Sequence, residues 1–158
     1  MKIRLLTVGK VKEQWLRQGV EHYAKRLRRW ARVLITEIPE QPPGDRDAAA
    51  KRETVARESA LILERVVPGT CLVVLDIQGR KLSSKSLADF LQNHMVRGQS
   101  DFTFVIGGSL GLSDEVRARA DLVLSFSDLT FPHQLIRVML LEQIYRGYKI
   151  LAGETYHK

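Results

Sequence analysis

Apolar residues along this chain fall into two rhythms that alternate from one end to the other. Short apolar runs read as strands: "IRLLTVG" (Ile3 to Gly9), "VLITEI" (Val33 to Ile38), "CLVVLDI" (Cys71 to Ile77), "FTFVI" (Phe102 to Ile106) and "LVLSF" (Leu122 to Phe126). Longer stretches between them carry helical spacing. In "EQWLRQGVEHYAKRLRRW" (Glu13 to Trp30) the apolar set is Trp15, Leu16, Val20, Tyr23, Ala24 and Leu27. An alanine-rich, charge-laced helix is expected from Ala48 to Val67, stopped by Pro68 and Gly69. Ser84 is placed to cap a helix holding Leu87, Phe90, Leu91 and Met95. Ser113 is placed to cap a short helix whose first turn is acidic, with Asp114 and Glu115. Gln78-Gly79 reads as a turn, and Pro39 to Asp47 as an irregular surface loop, because prolines lack donors and bias their neighbours.

The order β-α-β-α-β-α-β-α-β-α predicts an α/β fold with a parallel-rich, doubly wound sheet, in one domain spanning residues 1–158. "CLVVLDI" is apolar without a break, as a central parallel strand buried on both faces would be. The final helix, expected from near Pro132 to about Ile150, is apolar over more than one stripe: Leu135, Ile136, Val138, Met139, Leu140, Leu141, Ile144, Tyr145, Tyr148 and Ile150. Such a helix must be buried on more than one side. The sheet supplies one side; a partner subunit is expected to supply the other, which predicts a two-fold homodimer.

Composition narrows the class. With 44% hydrophobic and 27% charged residues, the chain is globular rather than disordered. The single cysteine, Cys71, excludes a disulfide framework and reads as a buried, inert thiol. The histidines His22, His94, His133 and His157 are too scattered for metal-ligand spacing, so no metal is expected. The chain shows no signal-peptide pattern and no apolar run near the roughly 18 residues that span a bilayer. A cytoplasmic protein with no membrane partner is therefore expected. The net charge of +7 points to an anionic partner, nucleic acid first. Lys10, Lys12, Arg17, Lys25, Arg26, Arg28, Arg29 and Arg32 crowd the N-terminal segment. Singly they read as a solvated face; as a group they suit an RNA backbone.

In an open α/β sheet, ligands sit beyond the carboxyl ends of strands. Three such ends stand out: Leu75 to Gly79, Ile106 to Gly111, and Phe126 to Phe131. The glycine loop Gly107–Gly111 is neither G-x-x-x-x-G-K-[ST] nor G-x-G-x-x-G, and it holds no basic group for phosphates. A ligand with a nucleoside but no phosphate chain suits it better.

"LDIQG" (Leu75 to Gly79), "FVIGGSLGL" (Phe104 to Leu112), "LSFSDLTFPHQLIRVMLLEQIYRGYKI" (Leu124 to Ile150) and the tail "GETYHK" (Gly153 to Lys158) resemble the ribosomal RNA large-subunit methyltransferase H family, small SPOUT-class enzymes. The resemblance covers essentially the whole chain, including "VGKVKEQW". It implies an α/β fold with a C-terminal trefoil knot, and S-adenosylmethionine bound there by positions matching Leu75, Gly107, Phe126, Ser127, Asp128, Leu129, Thr130 and Phe131. It implies methylation of ring nitrogen 3 of a pseudouridine in the 23S rRNA of the ribosome by an obligate homodimer. The imide nitrogen must lose a proton, for which His133 and His157 are equal candidates; His133 reads equally well as a cap on the last helix. Tyr156 is a candidate to stack on a flipped base, and Arg137 to fix a phosphate or stabilise the deprotonated imide. Two other readings share these features: a non-enzymatic RNA-binding module of the ribosome, and a SPOUT methyltransferase acting on tRNA.

Overall fold

Alternation along β1 (Lys2–Val8) sends Ile3 and Leu5 to one side of the sheet and Leu6 and Val8 to the other. The same split recurs in β3 (Cys71–Lys81), where Cys71 and Val73 oppose Leu72 and Val74. Both faces are therefore apolar and both need covering. The structure, a computed structural model, describes residues 1–41 and 47–156. Its remaining elements are α1 (Gln14–Leu27), β2 (Arg32–Ile38), α2 (Ala48–Arg65), α3 (Ser84–Val96), β4 (Asp101–Ile106), α4 (Asp114–Ala118), β5 (Leu122–Ser125) and α5 (His133–Leu151). The five strands are all parallel, in the order β2-β1-β4-β3-β5. β1, β4 and β3 are the inner strands.

Helices α1, α3 and α5 cover one face, meeting Phe102, Phe104 and Leu124. Helices α2 and α4 cover the other through Ile62 and Val116. Phe102 and Phe104 are fully buried, each worth roughly 1.5–3 kcal/mol relative to exposure. Asp47 accepts from the Ala50 N–H at 2.7 Å and Ser113 from the Val116 N–H at 3.4 Å, each capping a helix N-terminus. The cap of α3 is Ser83, not Ser84: Ser83 Oγ accepts from the Ser86 N–H at 3.0 Å, which frees Ser84 Oγ to donate to Gln143 Oε1 on α5 at 2.7 Å. Of the expected proline-rich loop, Pro39–Gln41 carry no regular structure, and residues 42–46 lie outside the described residues.

Two features depart from the sequence reading. Gln78-Gly79 does not end β3. The strand bulges through Asp76–Gly79 and resumes, so that Leu75 and Arg80 both pair with Leu124. Gly79 permits this: a Cβ there would lie 2.7 Å from the backbone of Val123 and Leu124. The second concerns α5. Its wide apolar surface is met by α1 and α3 of the same chain, and none of its residues is exposed. Trp30 stacks on Tyr148 at 5.6 Å; Arg26 lies 4.2 Å over the Tyr145 ring and donates to its hydroxyl at 2.8 Å. Much of the apolar surface is thus met within one protomer, while Val138 and Met139 stay half-buried and line an open groove.

Candidate functional site

The carboxyl ends of β3, β4 and β5 enclose an open cleft of about 230 Å³. The β3 bulge contributes Leu75, Asp76 and Ile77. The loop after β4 contributes Gly107, Gly108, Ser109 and Gly111. The segment after β5 contributes Phe126, Ser127, Leu129, Thr130 and Phe131, and α5 adds His133 and Ile136. Seven of the eight residues expected to hold the cofactor therefore line one cleft. The eighth, Asp128, does not line it: its carboxylate is 83% exposed and is paired with Lys81.

Glycine at the back of the cleft is required by crowding. A Cβ on Gly107 would sit 2.8 Å from Leu112 Cγ and 3.0 Å from the Gly111 carbonyl oxygen. One on Gly108 would sit 3.0 Å from Glu58 Oε2 and 3.1 Å from Val8 Cγ1. The loop is held from behind by α2. Glu58, only 3% exposed, accepts the Gln41 N–H at 3.0 Å, and Ser59 Oγ accepts the Ser113 N–H at 3.1 Å. Burial pushes the Glu58 carboxyl up; the Gln41 N–H opposes this, and the charge of Glu40 adds to it. In front, Ser125 Oγ donates to the Ser127 carbonyl and the Leu129 N–H donates to Ser127 Oγ, each at 3.0 Å, which folds the segment after β5 into a tight polar turn.

His133 opens α5 and lines the cleft, half-buried. Its pKa is lowered, first by burial and then by the positive charges of Arg137 and Lys12, with Glu40 opposing. The next residue, Gln134, accepts the Lys12 N–H at 2.9 Å, which ties the chain before α1 to the wall of the site. The N-cap position of α5 is Pro132, and His133 is the first residue of the helix. Arg137 lies one turn on and is 1% exposed. Its guanidinium donates to the carbonyls of Val8 at 2.8 Å and Gly9 at 2.9 Å, and to Glu37 Oε1 at 3.2 Å. Arg137 is absent from the cleft lining. It therefore clamps α5 to the ends of β1 and β2, where a substrate-contacting role was expected.

Tyr156 lies at the other end of α5. It meets Tyr145 edge-on at 5.1 Å, under Arg146 at 4.9 Å, and donates to Glu142 Oε1 at 3.4 Å. Along α5, Tyr145 is about 18 Å from His133 at 1.5 Å per residue. A single chain does not bring Tyr156 and His133 together. His157 and Lys158 lie outside the described residues. Lys10, Lys12, Arg17, Lys25, Arg26, Arg28, Arg29 and Arg32 are all exposed. Sequence reasoning did not single out Asp76 or Glu58. Asp76 sat in a quoted motif, but Glu58 reads as one more charge on a solvated helix.

A parallel sheet with a strand-end cleft built from glycine and a polar turn defines the class, and the comparisons agree. The chain matches, over residues 1–157, the family described as "Predicted SPOUT methyltransferase". The fold resembles that of a probable methylase family protein from Haemophilus influenzae Rd KW20, with a TM-score of 0.56 and 12% identity, covering 99% of this chain and 70% of that one. A putative methylase family protein from Neisseria gonorrhoeae gives 0.54 and 12%, covering 99% and 86%. Among curated relatives, Ribosomal RNA large subunit methyltransferase H of Desulforamulus reducens is 46% identical over 159 residues, covering 100% of this chain and 99% of that protein. Its counterpart in Alkaliphilus oremlandii is 47% identical, covering all of both. The chain belongs to the ribosomal RNA large subunit methyltransferase H family of SPOUT methyltransferases.

Proposed function

We propose that this protein is an S-adenosylmethionine-dependent methyltransferase of large-subunit ribosomal RNA, that its target is ring nitrogen 3 of a pseudouridine in 23S rRNA, and that it works as a cytoplasmic homodimer with a knotted C-terminal half. One observation carries the reading: the strand-end motifs that mark the family converge on one cleft in a chain nearly half identical to its curated relatives. Among the described residues no helix is long and apolar enough to cross a membrane.

The cleft fits the donor's chemistry. Its walls are apolar at Leu75, Ile106, Leu124, Phe126 and Phe131, with hydrogen-bonding groups at Asp76, Ser109, Ser125 and Thr130. When bound, S-adenosylmethionine supplies an electrophilic sulfonium methyl. The chain's part is to orient the reacting groups and exclude water. Gly107 and Gly108 let the loop pack closely on Leu112, Val8 and Glu58 and so shape the back of the cleft, while Ile77 and Leu129, 51% and 71% exposed, leave apolar surface at the mouth for RNA to cover. His133, kept neutral by its surroundings, takes the proton from the imide nitrogen, or His157 does so from a partner's tail. Tyr156 stacks on the target base.

The dimer draws support from two facts. Tyr156 is too far from its own chain's His133 to share a site, so a tail that serves catalysis must serve a partner's cleft. A groove of about 520 Å³ also runs between α1, α3 and α5, lined by Tyr23, Leu82, Leu87, Val138 and Met139. Labelled methyl donor incubated with ribosomes containing or lacking the pseudouridine tests the proposal. Label mapping to N3 of that base, only where it is present, is expected. Label on another nucleotide or on tRNA would overturn the assignment.

A further inference from the structure

Among the described residues lining the cleft, only Asp76 and His133 are ionisable. Asp76 is the one carboxylate among them. Its side chain is 9% exposed and is held on two sides. Oδ1 accepts the Gln78 N–H at 2.9 Å, inside the β3 bulge. Oδ2 accepts from Arg117 Nη1 at 2.8 Å, on the helix that follows the glycine loop. The other Nη of Arg117 donates to Asp114 at 2.6 Å. One guanidinium thus ties the β3 bulge to the helix after β4, and fixes a carboxylate between them.

We propose that Asp76 is a cofactor-binding residue that accepts hydrogen bonds from the ribose hydroxyls of the methyl donor, and that Arg117 is its positioning residue. The proposal rests on the placement of the donor in this cleft. A carboxylate offers about four acceptor sites, and the two bonds that Asp76 accepts leave acceptor capacity on both oxygens. Arg117 is shared between Asp76 and Asp114, so it fixes the Asp76 carboxylate in place and compensates its charge in part. A carboxylate held in fixed register with free lone pairs suits a pair of hydroxyl donors. Its position at a strand's carboxyl end is where parallel α/β folds set an acidic side chain on a ribose. Planarity explains arginine at position 117, since a fork reaches two carboxylates at once and a single ammonium does not hold both in fixed register.

Calorimetry separates the possibilities, with S-adenosylmethionine, S-adenosylhomocysteine and the 2′-deoxy and 3′-deoxy forms of the latter as ligands. Asp76→Asn should weaken both ribose-bearing ligands alike, by about tenfold to a hundredfold. It should leave the affinity for at least one deoxy form nearly unchanged, so that the wild type's preference for ribose over deoxyribose shrinks. Arg117→Ala should shrink the same preference, with Arg117→Lys restoring part of it. A preference that survives both changes would reduce the pair to a structural tie and overturn the inference. A loss confined to S-adenosylmethionine would overturn it too, since it would mean that Asp76 reads the sulfonium charge. A wild-type protein that bound none of the ligands would remove the proposed function along with it, a result distinguishable from either.

Discussion

Replacing Arg137 by alanine should unfold much of the protein's stability rather than remove one catalytic step. The side chain is buried to 1% and supplies two charge-assisted bonds to the Val8 and Gly9 carbonyls. Each such bond contributes roughly 1.5–3 kcal/mol. The pair with Glu37 adds at most about 1 kcal/mol, because that carboxylate is 35% exposed and water takes over when the guanidinium goes. Burial opposes these gains, lowering the guanidinium's own pKa against the pull of Glu37. The net loss on Arg137→Ala is then about 3–4 kcal/mol, out of a typical 5–15 for a domain. Urea denaturation followed by tryptophan fluorescence should show a midpoint lowered by about 1.5–2 M, taking a slope near 2 kcal/mol per M. Arg137→Lys should recover part of the loss, since an ammonium reaches one carbonyl but not the whole set. A variant within about 1 kcal/mol of wild type that had nonetheless lost turnover would refute the clamp and return Arg137 to the substrate.

Three further outcomes are expected. Gly79→Ala forces a methyl to 2.7 Å from the β5 backbone, so thermal unfolding should show a loss of about 2–3 kcal/mol; a shift below 0.5 kcal/mol would mean that the bulge relaxes freely. His133 has its folded pKa lowered from 6.5, so its contribution to stability is full above that value and is lost as pH falls toward the lowered one. If His133 is the base, wild-type turnover falls on the same acid limb, and His133→Gln lowers the rate about 10²–10⁴-fold and flattens the limb; an unchanged pH profile would assign the proton to another group. Cys71 is buried, and burial, with the charge of Asp121, pushes its thiol up to about 12. It should resist alkylation at pH 8 in the native protein and react once urea unfolds it; rapid native labelling would contradict that burial.

The strands were legible because each is a short apolar run, and the helices because their spacing persists over several turns. Legibility failed where a residue's role is set by something distant in sequence. Arg137 looks like a polar interruption on a helix, and only the fold brings it against carbonyls at Val8 and Gly9. Gly79 advertises a turn, yet its missing side chain serves the close approach of β5. The choice of Ser83 over Ser84 as a cap is a one-residue matter that periodicity does not resolve. The cleft residues were reached through strand ends and family motifs, because ligand sites in parallel α/β sheets follow topology. Asp128 shares the motif, but its carboxylate turns outward to pair with Lys81 and does not line the cleft.

Titration of the isotopically labelled protein with S-adenosylmethionine, followed by amide chemical shifts, tests the central claim most directly. The largest changes should map to the β3 bulge at residues 75–77 and to the segments 106–112 and 125–131 that follow β4 and β5. Changes confined to the groove between α1, α3 and α5, or no saturable change at all, would contradict the placement of the methyl donor in the strand-end cleft.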